Sequence, residues 1–311
     1  MVNGLLLNIV MFSLGLAILL KAADYFTDSA ANIARQFGIS DLIIGMTLVA
    51  FATSLPELTV ATTASLAGSP GIALGNVIGS NIANIGLILA IVLILRKIKI
   101  DKQSRHGGAL MLIATIISVA LISGGISRLD GALLFSMIAI FVLHTVAFSK
   151  PTGKAIAPKF DGSLVRLIIL LIVSLGGVVI GGKFVVDAAV NLARMVGVSQ
   201  IVIGVTIIAI GTSLPELTTA LFAVKKGYSG IAVGNLVGSN LFNLTAILGI
   251  SAIIAPIEIT RRVAIIDIPF MLLFSVLLIA LMHEKRAISK IYGAIFLAIY
   301  AVFIFLQLVK L

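Results

Sequence analysis

Long apolar stretches alternate along this chain with short polar or glycine-proline interruptions, and the length of the stretches decides what they are. A helix needs about 20 mainly apolar residues to cross a bilayer. Ten stretches meet or approach that length: Leu5 to Lys21, Asp41 to Leu66, Gly71 to Leu95, Gly107 to Ser123, Gly131 to Ser149, Leu167 to Gly182, Gln200 to Val224, Gly230 to Ala255, Val263 to Met282 and Ile291 to Val309. The segments after the first and sixth, Asp24 to Arg35 and Asp187 to Arg194, are weakly amphipathic and read as extensions of those helices. No basic residue precedes Leu5 and Lys21 follows the run, which is not the layout of a secretory leader, so the first stretch is expected to remain as a helix.

Composition agrees with the pattern. Hydrophobic types make up 60% of the 311 residues and charged types 11%, against roughly 25% charged in a soluble domain, and a disordered chain is excluded by the same figures. The formal charge of +10 would suggest nucleic acid if the basic residues formed one face. They are instead spread thinly between apolar runs, so the expected partner is the lipid bilayer and no nucleic acid. The absence of cysteine excludes disulfides, thiolate metal sites and redox dithiols.

Basic residues also orient the chain. Both termini and the even-numbered loops carry Arg128, Arg194, Arg261, Arg262 and Lys310. The odd-numbered loops carry Arg35, five residues from Arg96 to Arg105, four from Lys150 to Arg166, Lys225 and Lys226, and three from Lys285 to Lys290. Basic loops stay in the cytoplasm, so both termini are expected outside the cell membrane.

The sequence is written twice. GMTLVAFATSLPELT and GIALGNVIGSNIAN in the first half return as GVTIIAIGTSLPELT and GIAVGNLVGSNLFN in the second, every matched pair 159 residues apart with no gap. The offset also pairs Asp28 with Asp187, Asn32 with Asn191, Arg35 with Arg194 and Gly38 with Gly197. Five spans per half is an odd number, so the second copy enters the membrane in the opposite sense. The expected fold is therefore an all-α membrane protein of ten transmembrane helices in two inverted five-helix repeats: residues 1–150, a cytoplasmic linker 151–163, and residues 164–311. Inverted repeats are typical of secondary transporters, with the binding site at the midplane where the copies meet.

The shared residues define the chemistry. Of twelve acidic residues only Glu57 and Glu216 fall near the middle of an apolar span, where a carboxylate is costly and by default functional. Thr53 and Ser54 share a helical face with Glu57, as Thr212 and Ser213 do with Glu216. Pro56 and Pro215 each remove an amide and clash with the carbonyl four residues back, at Ala52 and Gly211. The resulting break frees main-chain carbonyls, which is tolerable only beside a cavity or an ion. In the next span Asn76, Ser80 and Asn84, and Asn235, Ser239 and Asn243, form polar stripes with a four-residue repeat, read as candidate cation ligands, with hydrogen bonding between helices as the other reading. Asn81 and Asn240 fall off these stripes. Gly71, Gly75 and Gly79, and Gly230, Gly234 and Gly238, read as faces for close helix packing. His106, His144 and His283 lie away from the repeats and read as packing or interfacial residues.

Carboxylates, hydroxyls, amides and carbonyls are hard oxygen ligands suited to Ca2+ or Na+ and not to Zn2+ or copper. Two ionised glutamates are neutralised by one Ca2+ or two Na+, so either load lowers the cost of an occluded state, whereas the empty, doubly charged site is costly to occlude. That asymmetry is what an exchanger requires. An intramembrane hydrolase would need two acidic residues but no flanking hydroxyl and amide stripes, and a channel would need a continuous pore.

On these motifs the chain resembles the cation/Ca2+ exchanger superfamily, specifically the prokaryotic Na+/Ca2+ exchangers, whose two repeats carry G-T-S-x-P-E and G-N-x-x-G-S-N. The resemblance implies a Na+/Ca2+ antiporter with no cofactor, not an enzyme, whose substrates are Ca2+ and Na+. It implies that Glu57 and Glu216 hold Ca2+, with Thr53, Thr212, Ser54, Ser213, Ser80, Ser239 and the carbonyls of Ala50 and Ala209 completing the Ca2+ and Na+ sites, and that the first and sixth spans slide against the other eight. Several relatives, including K+-dependent exchangers, carry Asp where this chain has Asn243, which leans against K+ dependence. H+/Ca2+ exchangers place a glutamate in the second motif, absent here, so a Ca2+/H+ or other divalent antiporter is the alternative reading.

Overall fold

The computed structural model describes residues 2–96, 98, 102–122, 124–147, 163–197, 209–283 and 290–308. Among them every regular element is a helix: α1 (Val2–Gln36), α2 (Asp41–Thr53), α3 (Leu55–Leu66), α4 (Pro70–Leu95), α5 (Lys102–Ile122), α6 (Arg128–Ala147), α7 (Leu164–Met195), α8 (Ala209–Thr212), α9 (Leu214–Lys225), α10 (Ser229–Ile254), α11 (Val263–His283) and α12 (Lys290–Leu308). Eight are long and apolar enough to cross a membrane, and the bent pair α2–α3 makes a ninth. The chain is a multi-pass membrane protein. Residues 200–208 of the seventh apolar stretch, and the whole basic segment 150–159 with most of the linker around it, lie outside the described residues.

The extension of the first and sixth stretches is realised without a break. At 35 and 32 residues, α1 and α7 are about 50 Å long, well beyond a hydrocarbon core of roughly 30 Å. They run antiparallel: Asn191 Nδ2 donates to Asn8 Oδ1 at 3.2 Å near one end, and a Cβ on Gly181 would lie 2.6 Å from Leu19 N and 2.9 Å from Gly15 O further along. Glycine is what lets the two backbones touch there.

Helix ends repeat as the sequence does. α1, α3, α7 and α9 are each followed by a glycine at positive φ: Gly38 at 63°, Gly68 at 73°, Gly197 at 80° and Gly227 at 86°, a conformation that costs other residues more. Three of these turns close with a second bond reaching five residues back, from Ile39 N to Ala34 O, Ser69 N to Ala64 O and Tyr228 N to Ala223 O, the pattern that satisfies the last carbonyls of a helix.

α4 and α10 form the centre and are the most deeply buried helices. The packing role read for the second glycine stripe is seen directly: a Cβ on Gly234 would run into Leu42 O of α2, and one on Gly238 into Met46 O. Residues 201–208, which the 159-residue offset would set against Gly71, Gly75 and Gly79, are outside the described residues. Two features were not legible in the pattern. α4 and α10 each contain a wide π turn, Asn84–Leu89 and Asn243–Ile247, and an isolated β-bridge between Ile126 and Ile257 ties the α5–α6 connection to the α10–α11 connection.

Candidate cation site

Each glutamate follows a helix break. α2 ends at Thr53 and α3 begins at Leu55, with a bend of 44°. Ser54, between them, has φ −84° and ψ 8°, and Ser213, between α8 and α9, has φ −90° and ψ 9°. Pro56 and Pro215 occupy the first turn of the new helix, where a missing amide costs nothing. The break therefore falls two residues before each proline. Glu57 and Glu216 lie in the first turns of α3 and α9, toward whose exposed amides a carboxylate is favoured, and each is 1% exposed.

The two carboxylates are held by both halves of the chain. Glu57 Oε1 accepts from Ser80 Oγ at 3.4 Å and from Ser213 Oγ at 3.4 Å. Glu216 Oε1 accepts from Ser239 Oγ at 3.5 Å and from Ser54 Oγ at 3.3 Å. In each case one serine belongs to the same half and the other to the opposite helix break. Thr53 Oγ1 donates to Asn235 Oδ1 at 2.9 Å and lies 3.5 Å from Ser239 Oγ, so it too crosses halves. Thr212 ends α8 beside Ser213 and is half-buried.

The remaining predicted residues divide. Asn76 Nδ2 donates to the main-chain carbonyl of Glu57 at 3.2 Å, whereas Nδ2 of its counterpart Asn235 has no partner and its Oδ1 accepts from Thr53. The Ala50 carbonyl accepts from Ser54 N at 3.0 Å and Thr53 Oγ1 at 3.4 Å. Ala209 begins α8. Asn84 and Asn243, each 1% exposed, start the π turns, and their amides donate to Asn240 Oδ1 at 2.9 Å and Asn81 Oδ1 at 3.0 Å. Asn81 and Asn240, off the stripes in sequence, are thus joined to the same network. The signal that could have found them was their presence in both repeats.

Among the buried oxygens without a hydrogen-bond partner are Glu57 Oε2, Glu216 Oε2, Asn84 Oδ1 and Asn243 Oδ1. An unpaired buried acceptor costs about 1–3 kcal/mol, and each half contributes one such carboxylate oxygen and one such amide oxygen at positions related by the 159-residue offset. Among the described residues no group of three or more His, Asp or Glu gathers, so the cluster is one of two carboxylates set among neutral oxygens. His106 and His144 stack on each other with centroids 5.0 Å apart.

A bundle of membrane-crossing helices with broken spans and buried, paired carboxylates is the construction of an ion transporter. The family described as sodium/calcium exchanger protein matches residues 7–147 and 166–309. The chain is 31% identical to the sodium/calcium exchanger MaX1 of Methanosarcina acetivorans, covering 96% of this chain and 97% of that protein, and 36% identical to the inner membrane protein YrbG of Escherichia coli, covering 91% and 90%. Among solved structures it resembles the sodium-calcium exchanger NCX_Mj soaked with Na+ and Ca2+, with a TM-score of 0.87 and 32% identity over 98% of this chain and 99% of that one. The chain belongs to the sodium/calcium exchanger family, which consists of transporters and not of enzymes.

Proposed function

We propose that this protein is a secondary active antiporter that exchanges Na+ for Ca2+ through one site shared by its two repeats. The observation that carries this reading is the exchange of serines: Ser54 binds Glu216 while Ser213 binds Glu57. Two carboxylates tied to each other's helix breaks form a single site whose charge is balanced by one Ca2+ or two Na+.

The ligands assigned are Glu57 and Glu216 for Ca2+, with Thr53, Thr212, Ser54, Ser213, Ser80, Ser239 and the Ala50 and Ala209 carbonyls. Asn84 and Asn243 add neutral oxygens. Asn76 and Asn235 stand behind these ligands, one on the Glu57 main chain and one on Thr53. Reciprocal contacts, in which residue i of one half meets j of the other and the offset partners do the same, are the mark of a twofold relation. They support ten spans in two inverted repeats, residues 1–150 and 164–311 joined by the linker 151–163, with both termini outside the cell membrane. The antiparallel pair α1 and α7 corresponds to the sliding element, its motion exposing the site to one side at a time.

The test is Ca2+ uptake into proteoliposomes under imposed gradients of Na+, H+ or K+. An outward Na+ gradient accelerates uptake, and neither a pH nor a K+ gradient does so. Uptake driven by pH and indifferent to Na+ would give the protein to Ca2+/H+ exchange.

A further inference from the structure

Asn81 and Asn240 occupy a special place in the molecule. Asn81 Nδ2 donates to the Asn240 main-chain carbonyl at 3.3 Å, and Asn240 Nδ2 donates to the Asn81 carbonyl at 3.5 Å. Each thus meets its own counterpart 159 residues away, the contact expected where a pseudo-twofold axis passes between α4 and α10.

A main-chain carbonyl only accepts, so these two bonds fix which end of each side chain is nitrogen. Oδ1 of Asn81 and of Asn240 must then face the other way. There Asn240 Oδ1 accepts the amide of Asn84 and Asn81 Oδ1 accepts the amide of Asn243. An oxygen acceptor demands a nitrogen, so Asn84 and Asn243 are oriented in their turn, and their own Oδ1 atoms are left turned away from these bonds and unpartnered. The order runs from the Asn81 main chain to Asn240 to Asn84, and from the Asn240 main chain to Asn81 to Asn243, crossing between repeats at each step. Both recipients open a π turn, the wider turn that re-aims side chains at functional positions.

We propose that Asn81 and Asn240 are positioning residues that hold the amide oxygens of Asn84 and Asn243 toward the transported cation. An asparagine free to rotate presents its NH2 end as readily as its oxygen, and an NH2 end repels a cation. The lock thus converts two neutral, reversible groups into permanent ligands without adding charge to the site. The inference rests on the reading of Asn84 and Asn243 as cation ligands.

The experiment measures the half-saturating Na+ concentration for Na+-driven Ca2+ uptake in proteoliposomes, with vesicles containing wild-type protein as reference. Asn84→Leu and Asn240→Leu each raise it about fivefold, the loss of one net hydrogen bond's worth of ligand orientation. Asn240→Leu on an Asn84→Leu background adds less than twofold, because its target is gone, whereas Asn81→Leu on that background multiplies, because it acts on Asn243. Asn240→Asp preserves the acceptor facing Asn84 and, when protonated, the donor facing Asn81, and keeps the Na+ response within twofold of wild type. Should Asn240→Leu not assemble, Asn240→Ser withdraws the same acceptor and takes its place. Full multiplication of Asn240→Leu with Asn84→Leu, or an Asn240→Asp variant as impaired as the Leu variant, overturns the positioning role. A normal Na+ response in Asn84→Leu overturns the ligand reading beneath it and the proposal with it.

Discussion

Ser213, at the break of the second helix pair, donates its hydroxyl across the molecule to Glu57 of the first at 3.4 Å. The offset pair Ser54 and Glu216 is joined at 3.3 Å in the opposite direction. A serine at a helix break is ordinary, but a serine that completes the other half's carboxylate makes neither half sufficient by itself.

Removal of either crossing hydroxyl should therefore be felt equally. Ser54→Ala and Ser213→Ala each delete one hydrogen bond to a carboxylate, worth about 1.5–3 kcal/mol. The expected result is a rise of at least about tenfold in the Ca2+ concentration giving half-maximal uptake. The two values should agree within about threefold, and a large effect in one variant with none in the other would break the shared-site account.

Close backbone contact between α2 and α10 gives a stability prediction independent of transport. Gly234→Ala drives a Cβ into Leu42 O, an atom fixed in a helix backbone, and overpacking of this kind costs about 1–3 kcal/mol. Thermal unfolding in detergent should occur roughly 5 °C lower. An unchanged midpoint would mean that the two helices separate freely.

A third relationship concerns motion. Lys226, just past α9, pairs with Asp24 and Asp28 of α1 at 2.7 Å each and donates to the Asp24 carbonyl at 2.8 Å. The offset position in the first half is Ala67, and on α7 Lys183 pairs within its own helix to Asp187, so among the described residues the tie is not repeated at the offset positions. If α1 slides, this contact must break. Lys226→Met should add a second population to the distance distribution between spin labels at Tyr25→Cys and Leu273→Cys, clean sites in a chain without cysteine. An unaltered distribution would show that the contact does not restrain α1.

The same contact has a defined pH dependence. Burial disfavours the charge on Lys226, but hydrogen bonds to Asp24 and Asp28 and their charges outweigh it and hold the ammonium above its ordinary value of 10.5. A raised lysine stabilises below the unfolded value and loses that contribution only as pH climbs through the folded one. The label distances should therefore be constant from about pH 6 to pH 9 and change only in strong alkali.

Much of this was legible in the sequence because the bilayer penalises polar groups so heavily. Glu57 and Glu216 stood out as the mid-span carboxylates, and their doubling identified Thr53, Ser54, Ser80 and their partners. Gly234 and Gly238 were read correctly as packing residues. What escaped was anything that depends on departures from 3.6-residue periodicity. Asn81 and Asn240, off the stripe by ideal helical geometry, enter the same network through contacts with the opposite repeat, which the periodicity of a single helix does not report. The break preceded each proline because Ser54 and Ser213 take up the bend while the proline starts the next helix. The ion pairs of Lys226 join segments 202 residues apart, which no local pattern reports.

The central claim, that both carboxylates hold one ion and that Na+ and Ca2+ compete for it, is tested most directly by calorimetric Ca2+ binding to the purified protein with increasing Na+. Wild type should bind Ca2+ at this site with an affinity that falls as Na+ rises, and Glu57→Gln and Glu216→Gln should each weaken binding on the order of 100-fold, as expected for loss of about 3 kcal/mol. Wild-type affinity in either variant, or Ca2+ binding indifferent to Na+, would contradict it.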